Sequence, residues 1–296
     1  MKVVVIGSTG FIGSNIFNSL DKAKEYDLIG ISKNEIDLSR KNSHVGLSNY
    51  LTADCIVIMC AGVKKQLGDN LDIFEKNLNI INNFCRTVSR MSPKKIIYFS
   101  SASVYGEDEV YSEKISEKTP VQPSTYYGIA KYTAERLLEK TCTENKAELV
   151  ILRPPLIYGK NDRSRGYGPT GFTYKAIHNE EIILWGDGTE YREFVYIEDV
   201  SKIIRRLINS DHNGVVNLVS GKSYNFQQIL DSLSGIIGSG IKVKEHQRTK
   251  AKVDHHYSNK VLNDLVGDFK FTSLESGLAD MYQSLITLKK EEQLNN

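Results

Sequence analysis

"KVVVIGSTGFIGSNIFNSLDK", residues 2–22, decides the fold. Val3 to Ile6 is an unbroken β-branched run, the pattern of a strand buried on both faces. Ile12, Ile16 and Leu20 follow at i, i+4 and i+8, which predicts a helix. Between the two lie Gly7, Gly10 and Gly13. The first permits the tight turn, the second lets the backbone approach a pyrophosphate, and the third lets helix and strand pack closely. The free N–H groups of the helix start then face the phosphates. Strand, glycine turn and helix together predict a dinucleotide site, with Thr9, Phe11 and Ile12 of the same turn lining it.

Strands and helices keep alternating outward from this unit. Apolar runs at 27–32, 55–62, 94–101 and 148–154 read as strands. Helical spacing covers 71–88, with a stripe of Leu71, Phe74, Leu78, Ile81, Cys85 and Val88, and 124–143, with Ser124 as N-cap. This order predicts an α/β protein with a parallel sheet covered on both faces. A long polar, glycine-rich loop then opens at "YGKNDRSRGYGPTG". A helix "IEDVSKIIRRLINS" and a strand at 215–220 follow, and 221–296 reads as short helices with little strand, ending in a fraying helix end. The expected organisation is a Rossmann-type dinucleotide domain over 1–158, to which 192–220 returns. A smaller substrate lobe takes 159–191 and 221–296.

Thirty-eight basic residues against 36 acidic ones leave a net charge of +2, so no global field draws nucleic acid or an anionic membrane. No run approaches the roughly 20 apolar residues of a membrane span. Cys55, Cys60, Cys85 and Cys142 form no Cys-x-x-Cys pair and read as reduced cysteines of a cytoplasmic protein. The six histidines show no metal spacing, so no metal is expected.

The second strand ends "GISKN", where an acid would usually bind the ribose 2′-hydroxyl. Ser32 and Lys33 stand there instead and suit a 2′-phosphate, which favours NADP(H). The alternative is that Lys33 is solvated and Glu35 or Asp37 acts as the acid, which suits NAD(H).

The chemistry is expected on "STYYGIAK", residues 124–131. Tyr127 and Lys131 are i, i+4 and share a helix face, whereas Tyr126 is turned about 140° from Lys131. An ammonium beside a phenol lowers its pKa, and an oxidised nicotinamide lowers it further. A tyrosine tuned in this way can exchange a proton with a sugar hydroxyl or ketone. The strand "IIYFSS" ends beside the same crevice, making Ser101 the donor to the substrate oxygen, with Ser103 nearby.

These stretches resemble the extended short-chain dehydrogenase/reductases, the NAD(P)-dependent sugar-nucleotide epimerases, dehydratases and reductases. The likeness runs through "GSTGFIG", "CAGV", "FSSASVYG", "YYGIAK", "LRPPLIYG", "GDGTEYREFVYIEDV", "NLVSGKSYNFQQIL" and "FKFTSLESGL", in that order. It implies Ser101, Tyr127 and Lys131 as the catalytic set, with Lys131 also on the nicotinamide ribose. Cys60, Ala61, Gly62 and Val63 would line the adenosine side, and Pro154 and Leu156 the nicotinamide. Arg192, and more weakly Arg248, would bind the substrate diphosphate. Family members often dimerise through the two long helices, here about 71–90 and 125–143, so a homodimer is expected.

Dehydratases of this kind carry an acid pair before "VYG". Ala102 and Ser103 stand in those places, which argues against dehydration. "NEIDLSR" resembles a segment of GDP-fucose synthase and related reductases, placing Asp37 and Leu38 near the adenine. Those enzymes also use a Cys and a His to epimerise; Ser103 replaces the cysteine, and His178 reads as a surface residue. The leading expectation is therefore NADPH-dependent reduction of a nucleotide-linked 4-keto sugar. An NAD-dependent 4-epimerase is the alternative, and a non-catalytic NADP(H)-binding protein a third reading.

Overall fold

The computed structural model describes residues 1–294 apart from Arg163, Arg165 and Ser239, with side chains described as far as Lys290. The two arginines of the expected polar loop, and the last two residues of the expected helix end, lie outside that set. In chain order the first half runs β1 (Lys2–Ile6), α1 (Phe11–Ala23), β2 (Asp27–Ile31), α2 (His44–Leu47), β3 (Ile56–Met59), α3 (Leu71–Met91), β4 (Lys95–Phe99), α4 (Tyr126–Asn145) and β5 (Glu148–Arg153). The second half runs β6 (Leu156–Tyr158), α5 (Pro169–Ile177), β7 (Ile182–Trp185), β8 (Tyr191–Tyr196), α6 (Ile197–Ile208) and β9 (Gly214–Asn217). It ends with β10 (Ser223–Asn225), α7 (Phe226–Ile237), β11 (Val243–His246), α8 (Lys260–Val266) and α9 (Leu274–Leu294).

The main sheet has six parallel strands in the order β2-β1-β3-β4-β5-β9. Val3 of β1 lies opposite Leu28 on one side and Ile56 on the other. Side chains alternate between the two faces, as the two-residue strand period requires. Val3, Val5, Ile56, Ile58, Ile97 and Val150 join one core with Ile16 and Leu20 of α1 and Ile203 and Leu207 of α6. Val4, Ile6, Val57, Met59, Ile96 and Ile151 join the other, with Ile81, Phe84 and Val88 of α3 and Leu138 of α4. Burial on both faces explains why the strands read as continuous apolar runs.

β6, β8 and β10 form a second sheet, and β7 with β11 a third. Of the segment 192–220, α6 packs on α1 and β9 enters the main sheet, but β8 pairs with β6 and β10. Pro154 and Pro155 separate β5 from β6, because proline cannot donate to a ladder. Among the described residues no helix is long and apolar enough to cross a membrane.

Three local readings change. The buried face of α3 carries Ile73, Ile80, Ile81, Phe84 and Val88, whereas Leu71 is exposed and Phe74 and Leu78 are half-buried. Ile81 and Val88 of the expected stripe lie on that face, but its other members flank it, because Asn83 and Thr87 are buried there and bond backbone carbonyls, so polarity hid part of the true face. The N-cap of α4 is Thr125, not Ser124; its Oγ1 accepts from Gly128 N at 3.0 Å. The C-terminal helix α9 is long, 21 residues, and buries Leu274, Leu278 and Met281.

A polar cluster crosses this apolar interior. Arg153, at the end of β5, donates Nε and Nη2 to the two carboxylate oxygens of Glu135 on α4, at 3.0 and 2.6 Å. Its Nη1 donates to Tyr105 Oη, which donates to Asn217 on β9. Ser100, at the end of β4, donates to Glu135. Both ions are almost fully buried, so removing one strands the other in a low-dielectric interior. Arg153→Met should cost about 3–5 kcal/mol in urea unfolding, and Glu135→Leu added to it should recover most of that loss.

Candidate active site

β1 leads to β2 on one side and its other neighbour is β3, so the strand order reverses between β1 and β3. The C-terminal ends there form a crevice of the kind that binds ligands in open α/β sheets. The turn after β1 is close-packed. A methyl on Gly13 would sit 2.1 Å from Gly7 O, and one on Gly7 would sit 2.9 Å from Ala61 N. The turn thus touches the segment after β3, and α1 starts without a side-chain cap. Asn77 of α3 staples that segment: its Oδ1 accepts from Val63 N at 2.8 Å and its Nδ2 donates to Val63 O at 3.1 Å. Uncapped N–H groups, a side-chain-free turn and the Cys60–Val63 backbone fit a dinucleotide's pyrophosphate and adenosine. Thr9, Phe11 and Ile12 lie in this turn, and Phe11 also lies under Lys64 Nζ, 5.2 Å from the ring centroid.

The end of β2 differs from its sequence reading. Lys33 is 78% exposed and pairs with Asp37, at 3.9 Å. Glu35 folds back instead: its Oε2 accepts from Ser32 N at 2.7 Å, and these Ser32 bonds hold its carboxyl below the usual range. Asp37 accepts from Ser39 N and Oγ, and Leu38 is buried in the core. A carboxylate therefore sits against the first residue after the strand, in line with the alternative in which Lys33 is solvated.

The corner that holds Tyr127 depends on the close approach of α4 to the turn after β4. A methyl on Gly128 would sit 2.7 Å from Ser103 O, so only glycine admits the contact that brings its neighbour Tyr127 to Ser101. Ser101 lies close enough to the Tyr127 phenol to act on its acidity. Ser101 Oγ also accepts from Ser103 N and donates to Ser103 Oγ, both at 3.1 Å. Ser103 Oγ in turn donates to Glu107 Oε1 at 3.1 Å, and the other oxygen of Glu107 pairs with Lys65.

Lys131 is buried and donates to Phe99 O at 2.7 Å. It lies 5.8 Å from the Tyr127 ring centroid and 5.0 Å from that of Tyr98. A methyl on Gly62 would be 3.5 Å from its Nζ, so the lysine faces the cofactor crevice. Burial pushes the Tyr127 phenol up to about 12; neighbouring Ser101 opposes this and the Glu107 charge adds to it. Burial also brings Lys131 down to about 8. The expected lowering of Tyr127 by Lys131 is thus not realised, because desolvation dominates and the ammonium is turned to a backbone carbonyl. Tyr126 points away from the crevice, against Phe74 at 6.1 Å between centroids. Pro154 O accepts from Ala102 N at 2.8 Å, and Leu156 starts β6 against the core.

Farther out, Arg192 and Arg248 meet at one carboxylate. Both pair with Glu190, and Arg248 also reaches Asp187 at 3.4 Å. Arg192 further donates to Tyr191 O and Val253 O. β8 meets the segment around 253–255, where Tyr191 O accepts from His255 N and Tyr191 N donates to Asp254 Oδ1; "HQRTKAKVDHHYSN" showed no regular pattern from which to foresee it. His178, as expected, lies at the end of α5, stacked on Tyr174.

Sequence reasoning did not find Glu107, Lys65, Asn77 or the close-contact role of Gly128. Acids were sought before "VYG", whereas Glu107 follows it, and the short 3-10 turn at Ala102–Tyr105 brings it back over Ser103. Lys65 is distant in sequence and carried no signal. Asn77 was discernible as a polar residue among the apolar positions of α3.

Next to Arg192 on β8, Glu193 is buried; its Oε1 accepts from Gly221 N and Ser220 Oγ, and its Oε2 has no partner among the described residues. Burial pushes its carboxyl from 4.5 up to about 7. The folded state holds this proton while the unfolded chain releases it near 4.5, so stability falls as pH rises from about 4.5 to 7. Glu193→Gln should gain on the parent protein over that window, by up to about 3 kcal/mol at pH 8 in denaturant titrations.

Comparison with known proteins places this geometry in a family. A GDP-6-deoxy-D-talose 4-dehydrogenase of Aggregatibacter actinomycetemcomitans is 25% identical, over 96% of this chain and 98% of that protein. A putative UDP-glucose 4-epimerase of Methanocaldococcus jannaschii is 26% identical, over 80% and 82%. A Bacillus cereus UDP-glucuronic acid 4-epimerase variant, crystallised with UDP-4-deoxy-4-fluoro-glucuronic acid and NAD, has the same fold. Its TM-score is 0.84 at 21% identity, over 97% of this chain and 100% of that one. The model of the NAD dependent epimerase/dehydratase family matches residues 3–219, and the chain belongs to that family.

Proposed function

We propose that the protein interconverts C4 epimers of a nucleotide-linked sugar by transient oxidation, with NAD(H) as cofactor. The observation that carries the chemistry is buried Lys131, held by Phe99 O and 5.8 Å from the Tyr127 ring centroid, with Ser101 beside the phenol. Tyr127 takes the proton of the sugar hydroxyl, and Ser101 orients that oxygen. When bound, the nicotinamide accepts the hydride and returns it. Lys131, held by Phe99 O, faces the position of the nicotinamide ribose. Arg192 and Arg248 offer two guanidiniums to the substrate diphosphate in place of Glu190.

The sequence put NADPH-dependent 4-ketoreduction first. The carboxylate of Glu35 at the end of β2 reverses that order, because it suits a ribose 2′-hydroxyl and repels a 2′-phosphate. The 4-epimerase relative and the NAD-bound neighbour support the same reading. Net reduction of a 4-keto sugar is the second reading, supported by the 4-dehydrogenase relative that spans almost the whole chain. A homodimer through α3 and α4 accompanies either one; exposed Leu71, Tyr126 and Ile129 supply apolar surface there.

Incubation with UDP-, GDP- and ADP-linked hexoses should yield 4-epimers with NAD⁺ and no net cofactor turnover. Tyr127→Phe should lower kcat by about 10²–10⁴-fold. Stoichiometric NADPH oxidation with 4-keto-6-deoxy sugars, and no epimer from any hexose, would establish the second reading instead.

A further inference from the structure

We propose that residues 64–69 form a strap across the mouth of the dinucleotide crevice, latched by Lys65 and Glu107, which must lift before the cofactor enters or leaves. The inference rests on the dinucleotide reading of the crevice and deepens the proposed function. A cofactor that is reduced and reoxidised within one turnover has to stay bound between the two steps, and a closing segment keeps it there.

Both ends of the strap are fixed to α3. Asn77 bonds the N–H and the carbonyl of Val63, and Asn70 Oδ1 accepts from Ile73 N at 3.0 Å as the N-cap. Between these points nothing anchors the chain in a core. None of residues 61–70 is buried, and Leu67, in the 3-10 turn Lys65–Leu67, is 73% exposed. A segment without buried apolar contacts opens far more readily than the fold around it. Gly68 ends the turn at φ +137°, a conformation that suits glycine and gives the segment a pivot.

What holds the strap is a set of polar ties to separate walls of the crevice. Lys64 Nζ lies over the Phe11 ring at the start of α1 and 3.9 Å from Asp162, in the loop after β6. Gln66 borders the same loop: a methyl on Gly166 would sit 3.5 Å from its Cγ. Lys65 pairs with Glu107, beyond the turn after β4. Asp69 Oδ1 accepts from Tyr127 N, in the first turn of α4, at 3.0 Å. The receiving carboxylates are themselves held in place. Asp162 is buried and accepts from Ser164 N, Ser164 Oγ and Thr170 Oγ1, and Glu107 accepts from Ser103 Oγ. Lys65 and Glu107 are each 34% exposed, so water can replace either partner as the strap lifts. Fixed posts joined to a core-free segment by exchangeable polar contacts have the construction of a gate.

The ties join protein groups to protein groups, so loosening one should speed entry and exit alike. Full-length protein is loaded with NADH, and stopped-flow fluorescence of the nicotinamide follows binding and displacement by excess NAD⁺. Lys65→Met and Glu107→Gln should each raise kon and koff by about two- to fivefold, with Kd changed by less than about twofold. The double variant should match either single one, because both remove the same tie. Hydrogen exchange should quicken in residues 64–69 of each variant and stay unchanged in α3 and β3, which separates release of the strap from loss of the fold. Unchanged rate constants in both single variants would overturn the strap. Opposite shifts of koff would overturn it too, since a cation and an anion would then act directly on the anionic cofactor. Effects that multiply in the double variant would overturn the latch, because the two side chains would then act separately. Failure to epimerise any hexose would overturn the proposed reaction while leaving these rate constants as they stand.

Discussion

The Arg153–Glu135 ion pair is the interaction on which the arrangement of this site depends. Glu135 lies on α4 two helical steps of four residues beyond Tyr127, with Lys131 between them, so one stripe carries all three. Clamping Glu135 to the end of β5 fixes the rotation of that stripe about the helix axis. The same carboxylate accepts from Ser100, next to Ser101, and the same arginine reaches Tyr105 in the turn that carries Ser103. Helix, strand end and serine turn are thus referenced to one pair of buried charges. Such a pair adds little net stability over an apolar equivalent, but its geometry is specific, because the bidentate fork tolerates one orientation.

Burial also sets the electrostatics. The phenol goes up and the ammonium comes down, each away from its charged form. At neutral pH Tyr127 therefore stays a neutral phenol, while Lys131, at about 8, keeps most of its charge. The Glu107–Lys65 pair stands at the edge where water reaches it. A site arranged in this way keeps the Tyr127 oxygen in a low-dielectric environment. There the field of a bound cofactor acts on Tyr127 with little screening.

Much of the fold was legible in residues 2–22 and in the alternation that follows, because strands buried on both faces must be apolar throughout and a glycine turn before a helix has few uses. The trio of the proposed mechanism was read from sequence too: Tyr127 and Lys131 by helical spacing, Ser101 by its place at a strand end. What misled was local chemistry read without its partners. Lys33 suggested a phosphate, but Glu35 folds back over Ser32. Leu71, Phe74 and Leu78 suggested a core face, but Asn83 and Thr87 occupy it with their hydrogen bonds satisfied.

By itself, then, the sequence determined the doubly wound sheet and the glycine turn, and it singled out Tyr127, Lys131 and Ser101 as candidates, since each rests on spacing within one element or on adjacent elements. Only the tertiary structure decided which groups surround them. Glu107 and Lys65 are 42 residues apart and meet across the crevice, Arg192 and Arg248 share Glu190, and Arg153 finds Glu135 in the interior. These meetings depend on how separate segments pack. That packing sets the desolvation and charge around Tyr127, quantities that no local pattern encodes.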